Sequence, residues 1–538
     1  MPDTLAPPKP EAPRAADESH SALAPLANPV FRRLWLTWFA ANTTMWMNDV
    51  AGAWLMSSLS PTPLWVALVQ SASTLPVFLL GLPSGALADI LDRRRFLMMT
   101  QFWVAGVATL VCITVIMGWM TPPLLLALAF CNGIGLAMRW PVFAAIVPEL
   151  VPRAQLPSAL ALNGVSMNAS RIIGPLVAGA VIASFGTAWV FALNACLSIA
   201  AGFVVMQWKR EHVESPLGRE RLASAMRVGV QYVWQSSRMR AVLIRIALFF
   251  LHSTALLALL PLVARSLPGG QAGTFTVLLA SMGAGAVIAA LQMQRIRRLL
   301  PLQTLLFAGT GLQAASMLVV AFAPNIYVAV PGMFFGGVAW ISVANTLTVA
   351  AQMALPDWVR ARGMSIYQMA LMGSTAAGAA LWGQVANHSG IHDALAIAAA
   401  SSVFLMFVAQ RLVADKGIEE DLSPSRALKA PHAESPPRAG RIQVDIEYRI
   451  DPARVEEFMA LMQESRRGRI GQGATEWKVM QDLYDPGLII EQYEDPSWTE
   501  HLRRFDRVTA ADIRLRDRRL AFHIGEEPPV VRRFVVER

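Results

Sequence analysis

Long apolar runs separated by short polar segments fill most of the first 413 residues of the chain. A helix needs about 20 mostly apolar residues to cross the hydrocarbon core of a membrane. Twelve runs have about that length or more, and we predict a transmembrane helix in each. The runs cover residues 34–57, 64–88, 96–118, 122–147, 158–183, 187–208, 241–264, 273–294, 302–323, 326–353, 364–386 and 392–413.

The twelve runs fall into two groups of six. The groups occupy residues 29–208 and 241–413, and a connection over residues 209–240 joins them. An ungapped offset of 204 residues aligns the two groups. It pairs Gly81 with Gly285, Gly133 with Gly337, Gly174 with Gly378 and Gly179 with Gly383. Parallel six-helix repeats are an architecture of secondary transporters. The spacing therefore predicts an all-α membrane protein built from two six-helix halves.

Basic residues indicate the orientation of the helices. The segments that follow the even-numbered runs hold 16 Lys or Arg residues, whereas the opposite side holds one, Arg265. Cytoplasmic loops of membrane proteins carry this kind of excess. We therefore predict an integral protein of the cell (inner) membrane with both termini and the 209–240 connection in the cytoplasm.

The pattern changes after residue 413. Residues 414–440 are rich in Pro and Ser and carry charges, which is typical of a linker. In residues 441–538, short alternating runs and helical spacings predict a small cytoplasmic α+β domain of ferredoxin-like order, β-α-β-β-α-β. Strands are predicted at 442–450, 475–484, 487–493 and 529–536, and helices at 451–467 and from residue 497 onward.

Composition agrees with this division. The chain is 54% hydrophobic and 15% charged, with a mean hydropathy of +0.43, whereas soluble proteins are about a quarter charged. In residues 441–538, by contrast, 36 of 98 positions are charged. The net charge of +9 therefore belongs to the apolar part. This favours contact with anionic membrane lipids over nucleic acid.

Neither the amino-terminal segment nor the cysteines indicate further chemistry. Residues 1–28 are rich in Pro and Ala and lack the basic-then-apolar pattern of a cleavable signal, so we expect them to be disordered. Cys112, Cys131 and Cys196 lie inside apolar runs without metal-binding spacing. We predict no metal site and no cofactor.

One acidic residue lies deep in the first apolar run. Asp49 is about 15 residues into the run, about 22 Å along a helix with a rise of 1.5 Å per residue. Asn42 lies two turns earlier and Trp46 one turn earlier, so the three share a helix face. Ionisable residues at such depth face cavities or partners and mark proton relays. We predict that this face lines a cavity in which Asp49 couples transport to protons.

A basic residue lies at similar depth in the fifth run. Arg171 is about 13 residues into the run, and Asn168 precedes it by one turn. Two interpretations remain open. Arg171 and Asn168 line the same cavity and Arg171 partners Asp49 during coupling, or Asp49 and Arg171 form a static pair that only holds the first half together.

Three other ionisable residues lie inside or near the runs. His252 is in the middle of the seventh run, and imidazole ordinarily titrates near neutral pH. It is a weaker candidate for proton coupling, because a lone intramembrane histidine is more often a hydrogen-bonded structural residue. Arg139 and Arg245 lie near predicted cytoplasmic ends, where a long side chain can snorkel to the membrane surface.

The most specific local motif is GALADILDRRR, residues 85–95, at the end of the second run. It resembles the loop signature of the major facilitator superfamily in Gly85, Asp89, Arg93 and Arg94, and it departs from that signature at positions 90 and 92, where Ile and Asp stand. The resemblance implies an acid–arginine latch that gates the cytoplasmic side. The alternative is a basic membrane anchor without a gating role. The second half has no acid at the equivalent position, so a latch would be asymmetric.

The fifth run contains a second motif. Gly174, Pro175 and Gly179 are similar to the G-P-x-x-x-G portion of a motif found in exporters of this superfamily. Pro175 removes one backbone hydrogen bond, and the two glycines permit close helix approach. The resemblance implies a bendable helix at the interface between the halves, whereas ordinary tight packing explains the same residues equally well.

Beyond these motifs, the chain from about residue 28 onward resembles one branch of the superfamily, the transmembrane secretion effector-like transporters, to which enterobactin exporters are similar. The segments LPVFLLGLPSGALAD (75–89), VPELVPR (147–153) and LALNGVSMNASRIIGP (160–175) carry the resemblance. It implies a secondary transporter that exports a small hydrophobic or siderophore-like molecule, with protons as the expected coupling ion.

The tail looks like a dimeric α+β barrel module of the antibiotic-biosynthesis-monooxygenase type. Trp477, Tyr493 and His501 are predicted to line a small pocket in it. The tail has no metal spacing, nucleophile motif or phosphate loop, so binding or dimerisation is favoured over catalysis. Two alternatives stay open: the tail carries an enzymatic activity, or the protein is a sensor that transports nothing.

Overall fold

The computed structural model describes residues 23–536, except for 91, 153–154, 209–221, 413–420, 426 and 432–439. Residues 1–22, which belong to the segment predicted to be disordered, lie outside this part of the chain. Ala24–Ala27 form one 3-10 turn, and the first long helix starts directly after it. The side chain of Asn28 caps that helix, and Pro29 occupies its first position, where no backbone donor is needed. The helix therefore begins before the apolar run that predicted it.

Six helices form the first half of the described chain and six form the second. The first half has α1 (Pro29–Leu59), α2 (Pro63–Ile90), α3 (Arg93–Ile116), α4 (Pro122–Leu150), α5 (Leu156–Phe185) and α6 (Thr187–Gln207). A shorter helix, α7 (Leu222–Gln235), lies between the halves in sequence. The second half has α8 (Ser237–Ser266), α9 (Ala272–Leu299), α10 (Leu302–Ala321), α11 (Ile326–Met353), α12 (Arg360–Ser389) and α13 (Ile391–Leu412).

Ten of the described helices have the length and apolar composition needed to cross a membrane: α2 to α6, α8 to α11 and α13. Helices α1 and α12 are 31 and 30 residues long and coincide with the first and eleventh predicted runs. Both are more polar than the other long helices, with several Asn, Ser, Thr or Gln residues along their length. Polar side chains in such helices must face cavities or other helices rather than lipid.

The two ends of the helical part differ. On one side, where α1, α3 and α5 end, the connections are short, and we call it the short-loop side. The opposite side holds α7 and the carboxy-terminal domain, and we call it the tail side. On the short-loop side, one continuous apolar core joins residues of both halves, among them Leu55, Phe191, Leu260 and Phe275. Within the described residues, the buried clusters near the tail side belong to one half or the other.

Polar contacts reinforce the closure of the short-loop side. Arg265 of α8 donates hydrogen bonds to the hydroxyl oxygens of Ser57 and Ser58 in α1, at 3.0 and 2.7 Å. Its guanidinium carbon also lies 4.5 Å from the centre of the Trp54 ring. These contacts join the two halves, so the described conformation is closed towards the short-loop side.

Glycines related by the 204-residue offset lie at equivalent helix contacts. A Cβ atom at Gly174 of α5 would lie 2.5 Å from Trp46 of α1, and one at Gly378 of α12 would lie 2.2 Å from the carbonyl oxygen of Leu251 in α8. Likewise, Gly133 brings α4 against α2, and Gly337 brings α11 against α9. Backbones approach this closely only where no side chain intervenes. The repeat seen in the sequence is therefore also present in the packing.

The predicted connection, residues 209–240, contains the helix α7, which hydropathy did not predict. Helix α7 packs between the α11–α12 connection and the carboxy-terminal domain. The Tyr232 hydroxyl donates to the carbonyl of Ala354 at 3.3 Å, and its ring meets that of Trp358 edge-on at 5.6 Å. On the other side, Arg227 donates to the carbonyl of Gly473 at 3.4 Å, and Gln231 donates to that of Ala474 at 3.3 Å. Helix α7 thereby fixes the carboxy-terminal domain to the second half.

Replacing Val228 by glutamate is expected to release this contact. Val228 has no exposed surface, and a Cβ atom at Gly473 would lie 3.0 Å from its methyl group. Glutamate is longer than valine and brings a charge into this packed contact, which costs free energy, so we expect hydrogen exchange in residues 471–474 of the full-length variant to rise at least tenfold. Val230→Glu is the control, because Val230 lies on the same helix and is 45% exposed. Equal exchange in both variants would contradict docking through this face.

The carboxy-terminal domain has the strands β1 (Arg441–Arg449), β2 (Glu476–Gln481), β3 (Leu488–Asp495) and β4 (Val530–Val536), and the helices α14 (Val455–Gly471), α15 (Trp498–Asp506) and α16 (Ala510–Leu520). The sheet order is β2-β3-β1-β4, and all neighbouring strands are antiparallel. The helix predicted from residue 497 onward is present as two helices, because Thr509 and Asp512 form a capping box that starts the second one.

Candidate transport site between and within the two halves

Asp49 lies inside the first half, beside a cavity of about 30 Å³ enclosed by α1, α2, α3, α4 and α6. Asn48, Ser73 and Asn132 provide the other polar side chains of the lining, and the remaining residues are apolar or glycine. Asp49 is the one ionisable residue among the described residues that line this cavity. A water needs about 10–15 Å³ and two or more polar partners. The cavity therefore has room for water in contact with the carboxylate.

Polar side chains continue from this cavity towards the tail side. Asn48 and Asn132 also line a second cavity of about 10 Å³, together with Asn194 and Arg139. Arg139 donates to the carbonyl of Ala41 at 3.3 Å and lies over the ring of Trp38. It is buried among α1, α4 and α6, so the prediction that it snorkels to the surface is wrong.

A third cavity, also of about 10 Å³, continues the series beyond Arg139. Trp38, Thr37 and Gln101 line it. Four polar atoms along the series are buried without a hydrogen-bond partner among the described residues: Asn48 Oδ1, Asn194 Nδ2, Arg139 Nε and Gln101 Oε1. Buried polar atoms of this kind normally bind ordered water. We call the series Asp49, Asn48, Asn132, Asn194, Arg139 and Gln101 the polar file.

Arg171 lies at a different place, at the contact between the halves. Its guanidinium carbon is 5.3 Å from the ring centre of Trp46 in α1 and 4.3 Å from that of Trp340 in α11. Arg171 is near the middle of α5, and the two tryptophans are near the middle of their own helices. We call Arg171, Trp46 and Trp340 the midplane cluster.

The predicted pairing of Asp49 with Arg171 is wrong for this conformation. Asp49 faces the cavity enclosed within the first half, whereas Arg171 stacks on tryptophans from both halves. Helical spacing placed Asp49 and Trp46 on a common face, but that face is divided. Trp46 points towards α5, and Asp49 points towards α2, α3 and α4.

Of the two asparagines predicted to line the cavity, only Asn42 has a described side chain. Asn42 is fully buried, and neither its amide nitrogen nor its amide oxygen has a partner among the described residues. Asn42 lies one turn before Trp46 on α1, and its predicted place in a cavity stays a prediction. The side chain of Asn168 lies outside the part of the structure that is described, and its predicted place in the cavity stays a prediction.

His252 occupies a structural position in α8. Its Nδ1 atom lies 2.7 Å from the carbonyl oxygen of Leu248, and its ring is 5.6 Å from that of Trp382. The Trp382 indole donates to the carbonyl of Leu251 at 2.8 Å. His252 is 3% exposed. It belongs to the α8–α12 packing and contacts neither the Asp49 cavity nor the midplane cluster.

Only part of the predicted latch is described. The Asp89 side chain and the surroundings of Gly85 lie outside the part of the structure that is described, so the acid–arginine contact stays a prediction. Arg94 donates a hydrogen bond to the carbonyl of Met206 at the end of α6. Arg93 also has an interaction partner and is not free. Asp92, which departs from the family pattern, caps α3 by accepting from the backbone amide of Arg95 at 2.8 Å. The departure therefore has a structural role.

The motif of the fifth helix lies at two helix contacts. Gly174 brings α5 against α1, with Pro175 next to it inside the helix. A Cβ atom at Gly179 would lie 1.8 Å from the hydroxyl oxygen of Thr276 in α9. Because α9 belongs to the second half, Gly179 lies at the contact between the halves on the short-loop side.

A family model described as transmembrane secretion effector matches residues 20–538, nearly the whole chain. The chain belongs to this family. The match includes the carboxy-terminal domain, so that domain is part of the family's own pattern. The protein is accordingly an integral membrane protein and a transporter of the major facilitator type.

Individual proteins agree with the family. The chain is 21% identical over 329 residues to the staphyloferrin A transporter of Staphylococcus aureus, covering 60% of this chain and 81% of the relative. It is 24% identical over 360 residues to the multidrug efflux pump Tap of Mycolicibacterium fortuitum, covering 64% and 86%. Among solved structures, the nucleoside transporter NupG superposes with a TM-score of 0.61 at 12% identity, over 71% of this chain and 99% of that one. The structural match concerns the fold alone.

The carboxy-terminal domain of this transporter has a charged interior. Glu491, on the central strand β3, has no exposed surface. Its carboxylate accepts hydrogen bonds from Ser465, Arg519, Trp477, Arg469 and Tyr448, at 2.8, 2.9, 3.1, 3.2 and 3.4 Å. Burial alone would raise the pKa of Glu491, but the guanidinium groups of Arg469 and Arg519 outweigh burial and lower this pKa from 4.5 to about 2.

The predicted pocket of Trp477, Tyr493 and His501 is wrong, because all three side chains are engaged in the interior. Trp477 donates to Glu491, and Tyr493 lies under the guanidinium groups of Arg469 and Arg504 at 4.6 and 4.4 Å. The Nδ1 atom of His501 is 2.8 Å from the Asp495 carboxylate, and its other ring nitrogen accepts from Arg533 at 3.1 Å. These contacts bind the sheet to α14 and α15.

Replacing Glu491 by glutamine is expected to destabilise this domain by about 3–5 kcal/mol, because it leaves the buried Arg519 and the half-buried Arg469 without their carboxylate. Since the pKa of Glu491 is lowered on folding, its stabilising effect is present above pH 4.5 and is lost as the pH falls from 4.5 towards 2. Hydrogen exchange of residues 441–536 in the full-length protein measures the effect at pH 7. Glu457→Gln is the control, because the Glu457 side chain is 66% exposed. A change no larger than that of the control would contradict the prediction.

Proposed function

We propose that this transporter exports a small hydrophobic or siderophore-like molecule from the cytoplasm in exchange for protons, by alternating access. The observation that carries the proposal is the separation of two sites. An ionisable residue, Asp49, faces a water-sized cavity inside the first half, while the midplane cluster lies between the halves. A proton and a substrate therefore have different places to bind.

The polar file supports a proton route to Asp49. Its cavities share Asn48 and Asn132, and the third cavity adjoins Trp38, over which Arg139 lies. Helices α1, α3 and α4 contribute to all three, with α6 at the first two. Waters bonded to the unpartnered atoms would link the carboxylate to the tail side within one half. Such a route stays separate from the substrate site.

The packing supports alternating access. The shared core and the Arg265 contacts close the short-loop side. The excess of basic residues on the tail side favours a cytoplasmic location for that side. The described conformation is then closed on the side where an exporter releases its substrate, and opening of these contacts would release the substrate there.

The relatives support the substrate class. One is named as a staphyloferrin A transporter and the other as a multidrug efflux pump. The Trp46 and Trp340 rings of the midplane cluster suit a molecule with an apolar body.

Accumulation of a hydrophobic dye and of a labelled siderophore tests the proposal, in cells that lack their own efflux pumps. Cells that express the transporter should accumulate several-fold less of at least one compound, and a proton uncoupler should remove the difference. Equal accumulation with and without expression, for compounds of both classes, would contradict export. A difference that survives the uncoupler would contradict proton coupling.

We further propose that the carboxy-terminal domain binds a second copy of itself through β4. This strand is at the edge of the sheet, and Val530, Val531, Phe534 and Val535 are each 43–45% exposed on it. Exposed apolar edge strands pair with other strands. The ion pairs of the interior favour this structural role over catalysis.

Val531→Lys is expected to convert a dimer into a monomer, because it replaces one of the exposed apolar side chains of β4 by a charge next to Arg532 and Arg533. Mass photometry of the full-length protein in nanodiscs measures the state, and Leu483→Lys, at a loop position that is 93% exposed, is the control. A wild-type protein that is monomeric in the membrane would contradict the proposal.

A further inference from the structure

We propose that the midplane cluster binds the carboxylate of the transported molecule, so that the substrates are organic anions with a flat apolar body. This inference rests on the proposed function, since it names the substrate class of the same transporter. It concerns binding, however, and it can be tested without a proton gradient.

The cluster offers hydrogen-bond donors without acceptors. Arg171 Nε and Nη1 and the indole nitrogen of Trp46 are closed to solvent and have no hydrogen-bond partner among the described residues. Each of these atoms can donate but cannot accept. No carboxylate of the described chain forms an ion pair with Arg171. A ligand that satisfies these donors must therefore bring acceptor atoms.

The charge of Arg171 points to an anionic acceptor. An arginine deep in a membrane protein is costly unless it faces a partner or a polar cavity, and stacking on two indoles compensates only part of the lost hydration. Arginine binds carboxylates through two parallel hydrogen bonds, which are stronger than those to neutral groups. A carboxylate would satisfy both the charge and the donors.

The two tryptophans indicate that the rest of the ligand is apolar. Trp46 belongs to α1 of the first half and Trp340 to α11 of the second half. Trp340 also packs edge-on against Phe250, with ring centres 5.5 Å apart. These aromatic faces provide an apolar surface next to the charge. Since the cluster spans both halves, their relative movement would separate Trp340 from Arg171 and weaken the site.

Arg265 is an arginine of the same protein that has hydrogen-bond acceptors. It also stacks on an indole, at 4.5 Å from the ring centre of Trp54. Unlike Arg171, it donates hydrogen bonds to Ser57 and Ser58. Arg265 is therefore a matched control for a substitution at Arg171.

Binding of 1-naphthoate and 1-naphthamide to the purified full-length protein in nanodiscs tests the proposal. The two probes share one aromatic body, and only the first carries a negative charge. We expect the wild-type protein to bind 1-naphthoate at least tenfold more tightly. Arg171→Gln should remove this preference, and Arg171→Lys should retain part of it. Arg265→Gln removes contacts that close the short-loop side, so it should change the binding of both probes by the same factor and leave the preference unchanged.

Three results would overturn the proposal: equal binding of both probes by the wild-type protein, no binding of 1-naphthoate up to millimolar concentration, or an unchanged preference in a folded Arg171→Gln variant. Trp340→Ala provides a second variant if Arg171→Gln does not fold. It should weaken the binding of 1-naphthoate at least tenfold. Unchanged binding of 1-naphthoate by this variant would also contradict the proposal. Absence of proton-driven export together with an Arg171-dependent preference would instead reject the proposed function and retain the anion site.

Discussion

Replacing Asp49 by asparagine is expected to abolish proton-driven export while leaving the folded protein in the membrane. Asparagine has nearly the same size and can hydrogen-bond to water in the cavity of about 30 Å³, but it cannot take up and release a proton. Asp49 is the one ionisable residue among the described residues of that cavity, so no neighbour in its lining can replace it. Export driven by a pH gradient should fall to the background of empty membranes.

Transport by everted membrane vesicles, with and without an imposed pH gradient, measures this effect. The Asp49→Asn variant should still bind the substrate, because the midplane cluster is separate from the cavity. Asp393→Asn is the control: Asp393 is an exposed carboxylate in the first turn of α13 and should be dispensable. Wild-type rates in the Asp49→Asn variant would remove Asp49 as the coupling residue.

Gly179→Val is expected to reduce transport at least tenfold. Even a Cβ atom at this position would lie 1.8 Å from the Thr276 hydroxyl oxygen and 2.5 Å from its Cβ atom. Rotation of the threonine side chain cannot relieve the second contact, so α5 and α9 must move apart. These helices belong to different halves, and the closed state of the short-loop side would be lost.

The same assay, with the amount of protein in the membrane determined in parallel, tests this prediction. Gly164→Ala is the control on the same helix, because a Cβ atom there would meet nothing within 4 Å. A smaller substitution, Gly179→Ala, allows a test of the contact itself. Thr276→Ala should restore part of the transport of this variant, since it removes the Thr276 atoms that lie 1.8 and 2.2 Å from the added Cβ atom. Normal transport by Gly179→Val would show that the halves need not approach at this position.

Hydropathy predicted the long helices because each apolar run must be covered by lipid or by other helices. The same criterion missed α7, which has 14 residues and a polar face. Its spacing of Leu222, Met226 and Val233 was the available signal, since these positions fall on one side of a helix. The capping box at Thr509 was similarly present in the sequence and predicts the break between α15 and α16.

Neighbours across helices could not be predicted. The positions of Asp49 and Trp46 follow from helical periodicity, but the helices that each residue faces depend on the packing of the whole half. For the same reason Arg171 was assigned to Asp49, the available opposite charge, rather than to tryptophans 125 and 169 positions away. The Glu491 network likewise joins α14, α16 and three strands, and no local pattern indicates it.

Alternating access can be measured without knowing the substrate, by the distances between spin labels placed on both sides of the protein. One pair joins positions 99 and 299 towards the tail side, and the other joins positions 117 and 322 on the short-loop side; all four side chains are exposed. The native cysteines are first replaced. We predict that lowering the pH changes the two distances in opposite directions, and that Asp49→Asn removes this response. Distances that stay constant, or that change in the same direction, would contradict proton-coupled alternating access.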